Sequence, residues 1–302
     1  MSIDFVFYFL FSSFLSIFCV FLDTNEKECY NFEKETAKEE ETMKLWTNEI
    51  PFYNSEAETP NEITFYPIHS AYPLPCVVVL PGGGYHGRAR HEAGDIAEFF
   101  NSRGMHAAVV EYRVAPNCHP APLADAQRAI RILRANAKAW KIDPNRIVTC
   151  GFSAGGHLCA STILFPDVYS EAYEKDEIDN ESCIPNGAIL CYPVIHLTDD
   201  MGHVGSGRNL LGDRYEELKE QFNLENYVNE STPPVFLWHT SEDSVVNVKN
   251  SLLFAEKLRD AQVPFELHVF PHGKHGLGLA KTFSDVSKWA NLAVDWILNN
   301  IQ

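Results

Sequence analysis

One serine lies in a sequence context that suits a nucleophile. Ser153 is the centre of the run Gly151–Gly155, which directly follows the short apolar stretch Arg146–Cys150. This pattern predicts a strand, a sharp turn and a helix, with the serine hydroxyl exposed at the end of a sheet. Small residues two positions to either side are what such a tight turn requires. Because Gly-x-Ser-x-Gly alone is a weak signal, the prediction depends on partner groups elsewhere in the chain.

Three further groups follow apolar stretches in the same way. The glycine-rich run Pro81–Tyr85, the carboxylate of Asp243 and the imidazole of His275 each lie just past a predicted strand. The carboxyl ends of parallel strands meet at one edge of a sheet, so we expect these groups to lie close to Ser153. The three strands are predicted from the runs Cys76–Leu80, Pro234–Thr240 and Phe265–Pro271.

Together these groups could carry out acyl transfer. A serine hydroxyl is a poor nucleophile at neutral pH and needs an adjacent base. We expect His275 to take the proton of Ser153 and return it to the leaving group, while Asp243 orients the imidazole. The backbone N–H groups expected to bind the oxyanion are those of Gly83, Gly84 and Ala154.

Two polar neighbours offer alternatives to these assignments. His272, three residues before His275, is the alternative base, but Gly273 and Gly276 bracket His275 on a flexible loop. Glu242 precedes the expected catalytic aspartate and is interpreted as a solvated carboxylate.

The remaining candidates have structural as well as functional interpretations. Tyr85 and Phe152 are predicted to contact the substrate, although either side chain could pack instead. His157 is expected to cap or pack against the helix that follows the serine. His239 is interpreted as a hydrogen-bonded core histidine, and Arg113 as a structural tie behind the glycine-rich loop.

Strand and helix patterns alternate along the chain. The predicted strands lie near residues 63–69, 76–81, 107–113, 146–151, 187–193, 234–240 and 265–271. The predicted helices lie near residues 91–103, 122–139, 154–164, 247–261 and 283–299. This alternation indicates an α/β fold, with a mainly parallel central sheet and helices on both faces. Residues 196–230 lack a strand pattern, and we expect a short cap insertion there over a shallow pocket suited to short acyl groups.

Several of these segments resemble a known family. They are Pro81–Tyr85, Glu111–Pro116, Pro120–Asp125, Asp143–Ile147, Gly151–His157, Pro233–Thr240 and His275–Gly278. They resemble the serine esterases of the α/β-hydrolase superfamily, and most closely the bacterial acetyl esterases and acetylxylan esterases related to the hormone-sensitive-lipase group. The resemblance extends over nearly all of the chain from Trp46 onward. Pro81 stands where the lipase group usually has histidine, which favours the carbohydrate-esterase branch.

The resemblance implies an α/β-hydrolase fold, in which the chain order Ser153, Asp243, His275 is the expected one. It also implies hydrolysis of short acyl esters, acetyl esters above all, with acetylated xylo-oligosaccharides as the expected substrates. A serine peptidase of the prolyl-oligopeptidase type shares this fold, but the 302-residue chain has no room for a large propeller domain. A non-catalytic binding protein of the same fold often lacks a member of the triad, whereas all three are present here.

Charge and motif content limit the partners. The formal net charge of −17 gives no electrostatic attraction to nucleic acid or to an anionic membrane. The expected partner is a small acylated molecule, a saccharide by the resemblance, and the chain could also form a homo-oligomer. Neither a zinc-type cysteine spacing nor a phosphate-binding lysine loop occurs, so no metal or nucleotide cofactor is expected.

The first 42 residues differ from the rest. Phe5–Leu22 is uncharged and mainly apolar, long enough to span a bilayer or to act as a signal segment. Asp4 precedes it without any lysine or arginine, which is unusual for a signal. Asp23–Thr42 is charged and is interpreted as a disordered linker. We therefore divide the chain into residues 1–42 and an α/β-hydrolase catalytic domain over residues 43–302.

Three interpretations of residues 1–42 stay open: a membrane anchor, a signal segment, or upstream sequence read in frame before a true start at Met43. Purine-rich codons for Lys38–Thr42 would resemble a bacterial ribosome-binding site, which favours the last. The eight cysteines show no disulfide pattern. We expect a cytoplasmic protein, or a membrane-anchored or secreted one if Phe5–Leu22 is retained.

Overall fold

A single sheet forms the centre of the fold. The computed structural model describes residues 40–58, 60–165, 167, 168, 173–198 and 201–302. Their eight strands lie in the order β1-β2-β4-β3-β5-β6-β7-β8. These are β1 (Glu41–Lys44), β2 (Glu62–Tyr66), β3 (Leu74–Leu80), β4 (His106–Glu111), β5 (Ile142–Phe152), β6 (Gly187–Cys191), β7 (Val235–Thr240) and β8 (Phe265–Phe270). β2 runs antiparallel to β1 and β4, and all other neighbours are parallel.

Helices cover both faces of this sheet. They are α1 (Gly94–Asn101), α2 (Ala121–Ala135), α3 (Ala137–Trp140), α4 (Ala154–Leu164), α5 (Val204–Leu211), α6 (Tyr215–Leu218), α7 (Lys249–Asp260) and α8 (Trp289–Asn300). Short 3₁₀ helices lie at Arg90–Glu92, Glu177–Asn180, Gly212–Arg214, Lys219–Phe222, Leu224–Tyr227 and Val286–Lys288. Residues of α2, α4 and α7 belong to one hydrophobic core, and residues of α1 and α8 to a second.

Strand β3 shows why the central strands are continuously apolar. Its side chains alternate between the two cores, with Cys76 and Val78 in one and Val77 and Val79 in the other. A strand covered on both faces has no solvent-facing side and therefore has no polar alternation. This is the reason that the apolar runs predicted strands at nearly the right places.

The seven predicted strands correspond to β2–β8, and the predicted α/β architecture is confirmed. Strand β1 was not predicted, since Glu41–Lys44 has no apolar alternation. Two of its residues, Glu41 and Thr42, were assigned to the linker but pair with β2. The helix predicted over 122–139 divides at Asn136, whose side chain donates back to the carbonyl of Ile132 at 2.8 Å. The last predicted helix begins at Trp289 rather than at residue 283.

The cap region, residues 196–230, contains α5, α6 and three of the 3₁₀ helices. Its described residues, 196–198 and 201–230, contain no strand, as the sequence predicted. Among the helices of the described residues, none is long and apolar enough to cross a membrane. The apolar segment Phe5–Leu22 and most of the predicted linker lie outside the described residues.

A buried ion pair connects the segment from Trp46 to Pro51 with the residues that follow β4. Arg113, just after β4, donates from Nε to Asp125 Oδ2 at 2.8 Å and from Nη2 to Oδ1 at 2.7 Å. Trp46 Nε1 donates to the same carboxylate at 2.8 Å, and Arg113 Nη1 donates to the carbonyl of Pro51 at 2.7 Å. Both charged side chains are fully buried. The structural interpretation of Arg113 agrees with these contacts.

Removing one partner of this pair should be costly. Asp125→Ala leaves the Arg113 guanidinium buried without its carboxylate, and we expect a loss of about 3–5 kcal/mol in the free energy of unfolding. Urea denaturation at pH 7 measures the loss. Asp95→Ala, which removes an exposed pair with Lys281, is the control and should cost less than about 1 kcal/mol. Equal losses in the two variants would contradict the structural role of Asp125.

Candidate active site

Ser153 occupies a strained turn between β5 and α4. Its backbone has φ 53° and ψ −119°, a region that residues with a side chain rarely adopt. Three backbone hydrogen bonds hold the turn: Ser153 N–H donates to Cys191 O at 3.0 Å, and Ser153 O accepts from Val194 N at 3.0 Å and from His157 N at 3.2 Å. The turn therefore presents the serine hydroxyl at the carboxyl end of β5.

The glycines around the serine are required by close packing. A Cβ on Gly155 would lie 2.1 Å from the carbonyl oxygen of Leu80, at the end of β3. A Cβ on Gly151 would lie 2.1 Å from the carbonyl oxygen of Gly155 itself. The start of α4 therefore touches the backbone of β3 directly, which brings the loop after β3 next to Ser153.

Ser153, His275 and Asp243 form a continuous hydrogen-bonded chain. His275 Nε2 lies 2.8 Å from Ser153 Oγ, and His275 Nδ1 lies 2.6 Å from Asp243 Oδ2. An ionised carboxylate only accepts, so Nδ1 carries the proton and Nε2 accepts from the serine hydroxyl. The three side chains follow β5, β8 and β7, at the edge where the sequence placed them.

The carboxylate of Asp243 is held in its ionised form. Its Oδ1 accepts from the backbone N–H groups of Val245 and Val246, both at 2.9 Å. Burial by itself raises the pKa of Asp243, but hydrogen bonds from His239 and His275 outweigh burial and hold the pKa well below its usual range. Asp243 can therefore stabilise a positive imidazolium at neutral pH.

His239 contributes to this environment, which sequence reasoning missed. Its Nε2 lies 3.4 Å from Asp243 Oδ2 and 3.0 Å from the carbonyl oxygen of Val246. Its Nδ1 accepts from Ser251 Oγ at 2.8 Å. His239 is thus the hydrogen-bonded core histidine that was predicted, but it also supports the carboxylate. The available signal was its position four residues before Asp243.

The alternative base lies away from the serine. The side chain of His272 is 72% exposed and pairs with Glu242, which is 57% exposed, across 2.8 Å. Glu242 is thus a solvated carboxylate, as interpreted from the sequence. Of the two histidines on this loop, His275 is the one that contacts Ser153.

The glycine-rich loop after β3 leaves backbone donors free beside the serine. Gly83 has φ 134°, and a Cβ there would lie 2.3 Å from the carbonyl oxygen of Gly87. In the described part of the chain, the N–H groups of Gly83 and Gly84 have no hydrogen-bond acceptor. Ala154 is the first residue of α4, so its N–H lacks an intrahelical partner. These are the three donors that the sequence assigned to the oxyanion.

Neither residue predicted to bind substrate lies on a surface. Tyr85 is 1% exposed, and its hydroxyl donates to His157 Nδ1 at 3.1 Å. Phe152 is fully buried, with its ring against those of Tyr192 and Trp289. The packing alternative therefore describes both side chains in this structure, and their contact with substrate stays a prediction. Position next to a motif does not determine which way a side chain points.

His157 joins the glycine-rich loop to the cap. Its Nε2 donates to the carbonyl of Phe222, in the cap, at 3.1 Å, while its Nδ1 accepts from Tyr85. Burial lowers the pKa of His157 from 6.5 to about 4, with a smaller contribution from His119. The imidazole is therefore neutral at pH 7, and its two hydrogen bonds link the glycine-rich loop to the cap in addition to the packing that was predicted.

Within the described residues, no group of three or more histidine, cysteine, aspartate or glutamate side chains is arranged to hold a metal ion. The cysteines of this part of the chain are free thiols: Cys76, Cys118, Cys150, Cys159, Cys183 and Cys191.

The fold and the site together define an α/β-hydrolase. The mainly parallel sheet carries a serine on a strand-to-helix turn, with histidine and aspartate from later loops. A family model described as BD-FAE matches residues 64–258, more than half of the chain. The chain belongs to the BD-FAE family.

Curated relatives include a xylanase and an acetylxylan esterase. The chain is 45% identical over 213 residues to endo-1,4-beta-xylanase B of Butyrivibrio fibrisolvens. It is 33% identical over 213 residues to an acetylxylan esterase of Xylanibacter ruminicola. Both alignments cover 68% of this chain, but they span only 33% and 42% of the two relatives. The chain therefore corresponds to less than half the length of either protein.

Solved structures match over most of their length. An acetyl ester-xyloside bifunctional hydrolase from Caldicellulosiruptor lactoaceticus has a TM-score of 0.80 and 45% identity, covering 85% of this chain and 95% of that one. A carboxylesterase from Lactobacillus plantarum has a TM-score of 0.70 and 25% identity, covering 86% and 97%. The predicted α/β-hydrolase fold and the resemblance to acetyl and acetylxylan esterases are confirmed.

The buried His157 makes stability depend on pH. Its folded pKa of about 4 lies below the unfolded value of 6.5, so its contribution is complete above pH 6.5 and is lost as pH falls toward 4. We expect up to about 1.4 kcal/mol per pH unit from this residue. Urea denaturation at several pH values between 7.5 and 4.5 should show a smaller slope for His157→Gln than for the wild type. His69→Gln, at an exposed position, is the control, and a wild-type slope in His157→Gln would contradict the assignment.

Proposed function

We propose that the protein is a serine carboxylic ester hydrolase. The observation that carries the proposal is the continuous chain from Ser153 Oγ through His275 to Asp243, with distances of 2.8 and 2.6 Å. A serine is activated when a base lies within hydrogen-bond distance of its hydroxyl and a carboxylate orients that base. The family membership and the esterases among the relatives support the same reaction.

The reaction begins with attack of Ser153 Oγ on the ester carbonyl carbon. His275 Nε2 takes the hydroxyl proton as the new C–O bond forms, and the carbonyl oxygen becomes an oxyanion. The free N–H groups of Gly83, Gly84 and Ala154 are the donors for this charge. One such donor contributes about 3–4 kcal/mol in related chemistry.

Collapse of the tetrahedral species releases the alcohol. The imidazolium of His275 returns its proton to the leaving oxygen as the bond from that oxygen to the acyl carbon breaks, which leaves an acyl group on Ser153. Water then attacks the acyl carbon while His275 takes one of its protons, and His275 returns that proton to Ser153 Oγ as the bond from Oγ to the acyl carbon breaks and the carboxylic acid is released. Asp243, kept ionised by His239 and the backbone, stabilises the imidazolium in both halves of the cycle.

The substrate class we propose is a short acyl ester of a carbohydrate, with acetylated xylo-oligosaccharides as the specific case. The similarity to a xylanase, to an acetylxylan esterase and to the acetyl ester-xyloside hydrolase supports this direction. The cap is short, which fits an open site that accepts a bulky sugar on the alcohol side. A short acetyl group requires little room on the acyl side.

The nucleophile is tested by Ser153→Ala. We expect kcat/KM for p-nitrophenyl acetate to fall by at least about 10³-fold, because no other hydroxyl replaces Ser153 Oγ. The melting temperature should stay within a few degrees of wild type. Ser102→Ala, at an exposed position, is the control and should keep full activity. Retention of a tenth of wild-type activity in Ser153→Ala would refute the assignment.

The substrate class is tested by comparing acyl length and alcohol. We expect the full chain to hydrolyse p-nitrophenyl acetate much faster than the octanoate, and to release acetate from acetylated xylo-oligosaccharides. Acetate release should disappear in Ser153→Ala. Cleavage of p-nitrophenyl acetate without release from the oligosaccharides would retain the esterase proposal and reject the carbohydrate. Faster hydrolysis of the octanoate would reject the open, short-acyl site.

A further inference from the structure

A buried carboxylate lies behind the glycine-rich loop and has no role in the mechanism above. Glu92, in the 3₁₀ helix before α1, is 2% exposed. In the described part of the chain no lysine or arginine pairs with it, and the nearest imidazole nitrogen, His91 Nε2, lies 3.7 Å from Oε1. A buried carboxylate without a strong cationic partner is costly to maintain, so its other contacts require an explanation.

One carboxylate oxygen of Glu92 is hydrogen-bonded to the glycine-rich loop, which carries the free N–H groups of Gly83 and Gly84. Oε2 accepts from the backbone N–H of Gly82 at 2.8 Å, immediately before Gly83. Gly82 also lies against the nucleophile, since a Cβ there would be 2.7 Å from Glu92 Oε2 and 3.1 Å from Ser153 Cβ. Glu92 and Ser153 therefore flank the same peptide unit.

The other carboxylate oxygen of Glu92 is connected through Tyr192 to the loop that carries His275. Oε1 accepts from the hydroxyl of Tyr192 at 2.6 Å, and that hydroxyl accepts from the backbone N–H of Gly278 at 2.9 Å. The ring of Tyr192 packs edge to face on the ring of His275, with centroids 5.0 Å apart. The carboxylate is thus joined by one hydroxyl to the peptide three residues after His275.

A second connection runs beside the first. His91 Nε2 donates to the carbonyl of Gly276 at 3.0 Å, so the 3₁₀ helix holds the loop of His275 at two backbone positions, Gly276 and Gly278. Trp289 Nε1 donates to the carbonyl of Gly278 at 3.0 Å and closes this end of the network.

We propose that Glu92 is a positioning residue that couples the oxyanion loop to the base loop through Gly82 and Tyr192. Each loop is irregular backbone, and the two meet at the same substrate atoms. A bidentate buried carboxylate fixes their separation, so that the Gly83 and Gly84 donors and His275 Nε2 act on one tetrahedral centre. The inference rests on the proposed esterase function for its kinetic test but not for its spectroscopic one.

The test compares Glu92→Ala, Glu92→Gln and Tyr192→Phe in the full chain. With p-nitrophenyl acetate we expect Glu92→Ala and Tyr192→Phe to lower kcat about 10- to 100-fold, because small misplacements of catalytic groups have effects of this size. KM should stay within about twofold. Glu92→Gln keeps the length of the side chain and an acceptor for Gly82 N–H, so it should recover part of the loss seen in Glu92→Ala.

A buried carboxylate remote from the site provides the control. Asp179 pairs with Arg128 at 2.9 Å, and Asp179→Asn should lower the melting temperature while kcat stays at the wild-type value. Wild-type kcat in Glu92→Ala or Tyr192→Phe would overturn the proposal. A loss of kcat in Asp179→Asn as large as in Glu92→Ala would overturn it as well, since general destabilisation would then be sufficient.

Proton NMR gives a measurement that does not depend on turnover. The His275 Nδ1–H bound to Asp243 should give a far-downfield resonance, assigned by its absence from His275→Gln. We expect this resonance to shift or broaden in Glu92→Ala and Tyr192→Phe but not in Asp179→Asn. An unchanged resonance in both site variants would overturn the proposal, whether or not the wild type hydrolyses esters. Absence of ester hydrolysis by the wild type, with a shifted resonance in the variants, would reject the esterase function alone.

Discussion

The backbone contact between the start of α4 and the end of β3 is the constraint on which the site depends. Gly155 lies so close to the carbonyl of Leu80 that any side chain there would overlap it. This contact places the turn of Ser153 against the loop that follows β3. If the two backbones were separated by even one methyl group, the free N–H groups of Gly83 and Gly84 would move away from the serine. Ser153, at the turn beside this contact, has the positive φ of 53°.

Burial near Ser153 disfavours the charged form of each ionisable side chain, unless hydrogen bonds to that form compensate. His157 is buried and neutral at pH 7, because desolvation holds its pKa at about 4. Asp243 is buried as well, although less completely, but two imidazoles and two backbone N–H groups donate to it, so its pKa falls instead. Burial therefore keeps His157 uncharged, whereas hydrogen bonds keep Asp243 ionised. Electrostatic stabilisation of an imidazolium needs both conditions, an anion on one side and no competing cation nearby.

The sequence was sufficient for the sheet and for groups that follow its strands. Apolar runs marked β3, β5 and β7, and position after a strand was enough to bring Ser153, Asp243 and His275 together. The sequence was insufficient where function depends on the direction in which a side chain points, or on a contact between residues far apart in the chain. Phe152 is adjacent to the serine but points into the core, and β1 is polar because it lies at the sheet edge. Glu92 contacts Tyr192, a hundred residues away, and nothing in the Arg-His-Glu run predicts that contact.

The loop of residues 82–85 shows how these contacts combine. All four of its carbonyl oxygens accept hydrogen bonds: Gly82 O from Ala89, Gly83 O from His86 and Gly87, Gly84 O from the side chain of Asn209, and Tyr85 O from Ala115. The N–H of Gly82 is bound by Glu92, whereas those of Gly83 and Gly84 have no acceptor in the described chain. A loop whose carbonyls are all occupied cannot turn them toward the serine. Its unused donors are thus fixed in place before any negative charge develops, which is the condition under which such donors accelerate a reaction most.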